Sequence, residues 1–381
     1  MNHMEVNGTR LNILHVLTLN GRNGEYGGPV RVARELCKEL STRGHQTTIF
    51  SGAIRGSEPI SEHGCVENFH HVKPILRLLP ISTLWNWRIL QPLTKEIRKA
   101  DLVHIHFARE LIPFATAIIS LLNRKPFIAQ THGMIIYDGR LSTRIIDFLF
   151  TRHLIKKSKV HLVLSETELS SIRSLRIKST CKILPNGIAI NFDQRAYNAD
   201  TKRIGFCSRL ESRKGVDKFI ELADRFRDSG ITFEIYGPDG GELQLLRREI
   251  EARNLVGILE YKGSLPAESV QKVLSQLDLL VLPSKNEPFP MVILESLAVG
   301  TPILVMPSCG IAAQLAKFEP SFVAQSENLE GLVASLNLQL LRQHATKNRT
   351  QIIDYCRKEF CIVQATNQLI GEYKNAVCHG E

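Results

Sequence analysis

Pro283-Ser284-Lys285-Asn286-Glu287-Pro288-Phe289-Pro290-Met291-Val292-Ile293-Leu294-Glu295 is the stretch that decides the fold. It follows Leu279-Leu280-Val281-Leu282, a continuous apolar run of the kind a parallel strand covered on both faces carries. Pro290 can sit in a first helical turn, where a missing N–H costs little. Gly300 and Pro302 then stop the helix. A buried strand thus becomes a helix across a loop holding Glu287, with Glu295 one to two turns further on. In open α/β sheets ligands bind at this carboxyl edge. Two carboxylates there suit the gripping of hydroxyls, such as those of a ribose or a sugar.

Working outward, the same alternation fills the chain. Residues 12–19 read as a first buried strand, 29–43 as a helix and 46–50 as a second strand. Further strands are expected at 101–107, 126–130 and 160–165. After a polar linker at 191–203 a second series begins, with strands at 203–207, 231–236, 258–261, 278–282 and 303–306. Helices fall between them at 215–229, 241–253, 267–276 and 290–299. Strands alternating with helices imply parallel sheets. The expected architecture is α/β: two doubly wound, Rossmann-like domains facing across a cleft. Residues 1–195 form the first, 196–360 the second, and a helix at 361–381 returns to the first.

The 381 residues suffice for two domains. No apolar run reaches the roughly 20 residues of a membrane span. The polar N-terminus gives no sign of a secretory leader. Eight scattered cysteines without a CxxC pair fit a cytoplasmic chain with reduced thiols. The formal charge of +10 is uneven. Residues 1–195 hold 27 Lys/Arg against 15 Asp/Glu, a net +12, and residues 196–381 hold 21 against 23, a net −2. A basic first half points to an anionic partner on that side.

Several loops at the expected carboxyl edges carry chemistry. In Ser208-Arg209-Leu210-Glu211-Ser212-Arg213-Lys214-Gly215, Arg209 and Lys214 emerge before a helix. A diphosphate there would meet a guanidinium fork, a point charge and helix N-terminal amides. A solvated basic turn would look alike in isolation, but this one precedes the two glutamates on the same sheet edge. Gly24-Glu25-Tyr26-Gly27-Gly28 lies between the first strand and helix, where Gly27 and Gly28 let backbone approach a ligand. It is not GxGxxG, so no dinucleotide fingerprint is present. Thr131-His132-Gly133 places His132 at a strand end, whereas His104 and His106 read as structural, His106 with less support. Tyr236-Gly237 and Tyr261-Lys262-Gly263 are further strand-to-loop transitions. No DxD, P-loop, GxSxG or zinc spacing occurs, so no metal is expected.

Together these segments resemble the GT-B glycosyltransferases, in particular the retaining enzymes of family 4. The resemblance rests on Gly27-Gly28, Thr131-His132-Gly133, Pro185-Asn186-Gly187-Ile188, Ser208-Arg209-Leu210 with Lys214-Gly215, Tyr236-Gly237 and Gly263. Above all it rests on Glu287-Pro288-Phe289 through Glu295-Ser296-Leu297-Ala298-x-Gly300-x-Pro302. It implies a hexosyltransferase-type enzyme using a UDP- or GDP-sugar, without metal or other cofactor. Glu295 would hold the ribose, Glu287 with Pro288 and Phe289 the donor sugar, and Arg209 and Lys214 the diphosphate. His132 would touch the sugar or the reacting centre. Gly27 and Gly28 would admit phosphate or acceptor, the small residues at Gly237 would admit the nucleotide, and backbone at Lys262 and Gly263 would meet the base. One departure stands out: Pro307-Ser308-Cys309-Gly310-Ile311 carries no acid where the family shows a paired glycine and a glutamate.

A nucleotide-sugar 2-epimerase of similar build is the main alternative, and a non-catalytic nucleotide-sugar binder the second. The intact set of two glutamates and two cations is more than a binder needs. Nucleic acid is not expected, since no aromatic platform accompanies the charge. Residues 84–99 and 140–159 mix Trp, Phe, Leu and Ile with Lys and Arg. Such helices can lie on an anionic membrane surface, which would suit a lipid-linked acceptor on the cytoplasmic face.

Overall fold

The protein is described by a computed structural model covering residues 10–21, 28–56, 58, 65–75, 82–136, 139–190, 202–341 and 349–378. It divides into two compact units, Met1–Pro185 with Ile362–Glu381, and Asn186–Cys361. The junction expected at 195 and 196, and Gly27 with the loop before it, lie outside the described residues.

The first unit carries β1 (Asn12–Leu19), β2 (Gln46–Ala53), β3 (Val66–His71), β4 (Lys73–Pro74), β5 (Leu84–Trp85), β6 (Leu102–His106), β7 (Phe127–Gln130), β8 (His161–Val163) and β9 (Cys181–Ile183). Seven of these make one parallel sheet in the order β3-β2-β1-β6-β7-β8-β9. Strands β4 and β5 pair separately and antiparallel. The strand order reverses between β1 and β6, which opens a crevice at their carboxyl ends. Val16, Ile105, Phe107, Phe127 and Ala129 lie in a core that the flanking helices cover. The last helix, Ile362–Cys378, belongs to this unit. Its Tyr373 hydroxyl meets His104 Nδ1 at 2.6 Å, and its Glu372 pairs with Lys182 at 2.5 Å.

The second unit carries β10 (Lys202–Cys207), β11 (Ile231–Tyr236), β12 (Leu259–Gly263), β13 (Leu279–Leu282) and β14 (Ile303–Val305). They form a parallel sheet ordered β12-β11-β10-β13-β14, reversing between β10 and β13. Its core includes Phe206, Phe219 and Phe233, with Phe219 5.5 Å and 5.7 Å from the other two ring centroids.

Three expectations need correction. Residues 84–99 are not one helix: β5 gives way to a short 3-10 turn at Trp87–Ile89 and then to the helix Leu90–Lys99. Asn86 makes the break by capping Arg88 N–H at 3.1 Å. Pro290 stands at the N-cap, one residue before the helix Met291–Ala298. Residues 140–159 form two short helices, Leu141–Ile146 and Arg152–Lys157, joined by a π-helical turn at Asp147–Thr151. Arg109 draws Asp147 inward with bonds of 2.8 and 2.9 Å, while Leu141, Ile145, Phe148 and Leu149 stay 50–70% exposed.

Phe219 anchors the helix Val216–Arg225 on the sheet, so Phe219→Ala should cost the second unit about 3–5 kcal/mol. Urea unfolding checks this, and a midpoint equal to the parent's would show that the helix is held by something else.

Candidate functional site

The reversal between β10 and β13 gathers the expected residues of the second unit. Beyond β10 the chain turns through Ser208–Gly215, with Ser208 N–H donating to Tyr236 O at 3.0 Å. Gly237 has φ +143, and a Cβ there would sit 1.8 Å from Ser208 O, so only glycine fits. Gly215, at φ +79, separates a short turn at Ser212–Lys214 from the helix Val216–Arg225. A Cβ on it would lie 2.4 Å from Pro283 O. This close approach brings Lys214 Nζ to 2.6 Å from Glu287 Oε2 and Arg213 to 3.2 Å from the same oxygen. Lys285 N–H donates to Arg213 O at 3.0 Å and ties the two loops together. Residues expected to serve diphosphate and sugar separately are therefore one ion pair. Arg209 pairs with Glu211 at 3.1 Å on the same loop.

Glu295 is buried in the second turn of Met291–Ala298. The departing loop after β14 still packs on the glutamate loop. Gly310 N–H donates to Glu287 O at 2.8 Å, and a Cβ on Gly310 would stand 2.0 Å from Pro288 O. Beside it, burial pushes the Cys309 thiol up to about 12. Phe289 turns into the core, edge-on to Phe360, so its side chain supports the loop instead of facing a ligand. Gly263 O accepts the Gly237 N–H at 2.9 Å, and Tyr261 OH donates to Gly237 O at 2.9 Å. The side chain of Lys262 pairs with Glu260.

In the first unit, Gly28 is the first residue of the helix Gly28–Thr42. His132 follows β7 in a left-handed conformation, φ 50, with Gly133 at φ 71. Non-glycine residues rarely adopt this geometry, and it persists only where surroundings hold it. The holder is Glu168, a residue the sequence reading missed. Its buried carboxylate accepts from Thr131 Oγ and Gly133 N–H, both at 2.6 Å, and from Leu164 N–H at 2.7 Å. Its only sequence signal is Ser165-x-x-Glu168, the pattern of a capping box, and Ser165 Oγ does cap Glu168 N–H at 3.2 Å. His106, read as structural, contacts His132 directly: Nδ1 lies 2.7 Å from His132 Nε2. His106 Nε2 lies 3.2 Å from His15 Nδ1.

His15, His104 and His106 place nitrogens within 4.8 Å of one another. Both His106 nitrogens already face other histidines, and among the described residues no carboxylate joins the three, so a cation would have to break this chain of contacts.

The fold is that of the GT-B glycosyltransferases. Residues 188–359 match the family model described as glycosyl transferases group 1, and residues 26–192 the one described as glycosyltransferase family 4. The chain belongs to this family as a group 1 glycosyltransferase of the family 4 type, a hexosyltransferase-type enzyme. A 2-deoxystreptamine N-acetyl-D-glucosaminyltransferase from Streptomyces fradiae is 25% identical over 341 residues, 80% of each chain. Among solved structures, Anabaena HepE in complex with UDP gives a TM-score of 0.77 at 16% identity, over 96% of this chain and 100% of that one. Sucrose-phosphate synthase from Thermosynechococcus elongatus gives 0.75 at 14%, over 97% and 100%.

The electrostatics of the first-unit site follow from burial. It lowers His104 and His132 to about 3 and His161 to about 4, and holds His15 and His106 well below 6.5. Neighbouring imidazoles add to the shift at His15, His106 and His132. Burial moves carboxylates the other way, Glu168 upward and Glu110 to about 6. An unfolded histidine titrates near 6.5. Below that pH the unfolded chain binds more protons than the folded one, so stability falls as pH falls. Each histidine contributes up to about 1.4 kcal/mol per pH unit between 6.5 and its folded value. The two carboxylates oppose this, since their folded forms take up protons first, but five histidines outweigh them. The melting temperature should therefore drop steeply from pH 7 to pH 5, and a flat profile over that range would mean that the rings are solvated in the folded protein.

Proposed function

We propose that the protein moves a hexosyl group from a UDP- or GDP-sugar to a hydroxyl of a glycan or lipid-linked glycan, with retention and without a metal, in cell-surface polysaccharide synthesis. The observation that carries this reading is the Lys214–Glu287 pair at 2.6 Å, placed where β10 and β13 part. Breaking a sugar–phosphate bond leaves extra negative charge on the diphosphate while the sugar becomes cation-like. Lys214, Arg209 and the first N–H groups of the helix Val216–Arg225 are assigned to the diphosphate. Glu287 is assigned to donor-sugar hydroxyls and Glu295 to the ribose. Backbone at Gly237, Lys262 and Gly263 frames the base, and backbone at Glu287, Pro288 and Phe289 frames the sugar. The second unit is thus the donor side. The first is the acceptor side, with Gly27 and Gly28 admitting phosphate or acceptor and His132 serving the sugar in transfer. In a front-face reaction the departing phosphate oxygen takes the acceptor's proton as the acceptor oxygen bonds to the anomeric carbon. The solved complex of HepE with UDP-glucose supports a uridine carrier.

Lys214→Ala should lower kcat by about 10²–10³, the loss typical of removing one preorganised donor to developing charge. Glu295→Gln should raise donor KM about tenfold or more, as a charge-assisted hydrogen bond to ribose is weakened. Hydrolysis and transfer assays over a nucleotide-sugar panel read both. Wild-type kcat in the lysine variant would remove Lys214 from the reading.

A membrane-facing first unit fits a lipid-linked acceptor and a peripheral place on the cytoplasmic face. Among the described residues no helix is long and apolar enough to cross a membrane. The exposed Leu141, Ile145, Phe148 and Leu149 share the segment 140–157 with exposed Arg140, Arg144, Lys156 and Lys157, a composition that anionic bilayers attract. The protein should float with vesicles containing anionic lipid, and the double variant Phe148→Ser/Leu149→Ser should not. Equal flotation on neutral vesicles would withdraw the anionic surface.

A further inference from the structure

Three buried imidazoles form an unbroken chain from the sheet interior to the site. His15 in β1 is 0% exposed, His106 in β6 is 2% and His132 after β7 is 7%. The links are His15 Nδ1 to His106 Nε2 and His106 Nδ1 to His132 Nε2. The outer two rings lie within 7° of parallel, with centroids 5.0 Å apart. His132 itself sits in a left-handed turn pinned by Glu168, so its ring has little freedom to seek another partner.

Burial keeps all three rings neutral at ordinary pH. A neutral imidazole has one N–H and one bare nitrogen. The chain can therefore be polarised in two ways only. In one, each proton points outward: His15 Nδ1–H donates to His106 Nε2, and His106 Nδ1–H donates to His132 Nε2. His132 then carries its own proton on Nδ1. In the other, all three protons reverse and His15 must carry its proton on Nε2. That nitrogen is fully buried and has no hydrogen-bond partner among the described residues. Buried N–H groups without an acceptor are rarer than under-used acceptors, so the inner end of the chain decides the polarity.

We infer that His15 and His106 are positioning residues that fix the tautomer of His132, so that its Nδ1 is presented as a hydrogen-bond donor. The fitting ligand atom is an acceptor oxygen, such as a sugar hydroxyl. A ring locked this way donates and does not serve as a base through Nδ1. This consequence for catalysis rests on the glycosyl-transfer reading, whereas the tautomer itself does not.

Long-range nitrogen–proton correlation spectra of histidine-labelled, substrate-free protein test the tautomer directly. Assignments come from single His→Phe variants. The expected result is a protonated Nδ1 and a bare Nε2 on both His106 and His132. A protonated His132 Nε2, or a mixture of the two forms, overturns the inference. His15→Leu removes the inner donor and should leave His132 as a tautomer mixture, with kcat reduced about tenfold. His15→Asn places an amide N–H near the lost Nδ1 and should restore both the single tautomer and most of kcat. A His15→Leu protein with an unchanged His132 spectrum overturns the inference too. The expected spectra in a protein that transfers no sugar would overturn the functional reading and leave the relay standing.

Discussion

Backbone-to-backbone approach at glycine is the constraint on which the second-unit site depends. At Gly237, Gly215 and Gly310 an added Cβ would come within 1.8, 2.4 and 2.0 Å of a carbonyl oxygen in another loop. No side chain other than hydrogen tolerates such distances. These approaches draw the loops after β10, β11, β13 and β14 into contact at one sheet edge. Lys214 and Glu287, 73 residues apart in the chain, meet because Gly215 lets the carbonyl of Pro283 lie against it. The parallel sheet supplies the edge, and the glycines set how closely the loops above it converge.

The first unit solves a similar problem with polar contacts. The turn at His132 is held in a rarely populated conformation by a carboxylate that accepts three hydrogen bonds, and the imidazole ring is held by another histidine. The cost is a set of buried imidazoles whose neutral forms must persist. That cost makes this unit sensitive to acid, whereas the second-unit site is organised by packing and an ion pair.

Much of this was legible in the sequence, for identifiable reasons. Strand β13 is a continuous apolar run, β1, β10 and β11 are mainly buried and bounded by loop residues, and Glu287, Arg209 and Lys214 follow β13 and β10 within a few residues. Strand β3 was missed because it lies at the sheet edge, with every residue at least partly exposed and no apolar alternation. Strand β9 has only three residues, one of them exposed. The π-turn depends on a pairing between Arg109 and Asp147 that no local pattern announces. His104 and His106 could be placed on one face of a strand by their spacing. That His106 rather than His104 meets His132 depends on the register of β6 against β7, which sets His106 opposite Gln130 and His104 opposite Ile128. Phe289 belonged to the recognised motif, but its direction is set by Phe360, far along the chain.

The Lys214–Glu287 pair also bears on how a spent site empties. Under the proposed function, an intact donor offers both parts of the pair a new partner: hydroxyls for the carboxylate and phosphate oxygens for the ammonium. A nucleoside diphosphate that has lost its sugar satisfies only the second. Glu287 is then left without its hydroxyls, a short reach from the lysine it held before, and its return competes with the product for Lys214. Under that reading the Lys214–Glu287 contact acts as an internal rival to the leaving group, re-formed after transfer and displaced before it.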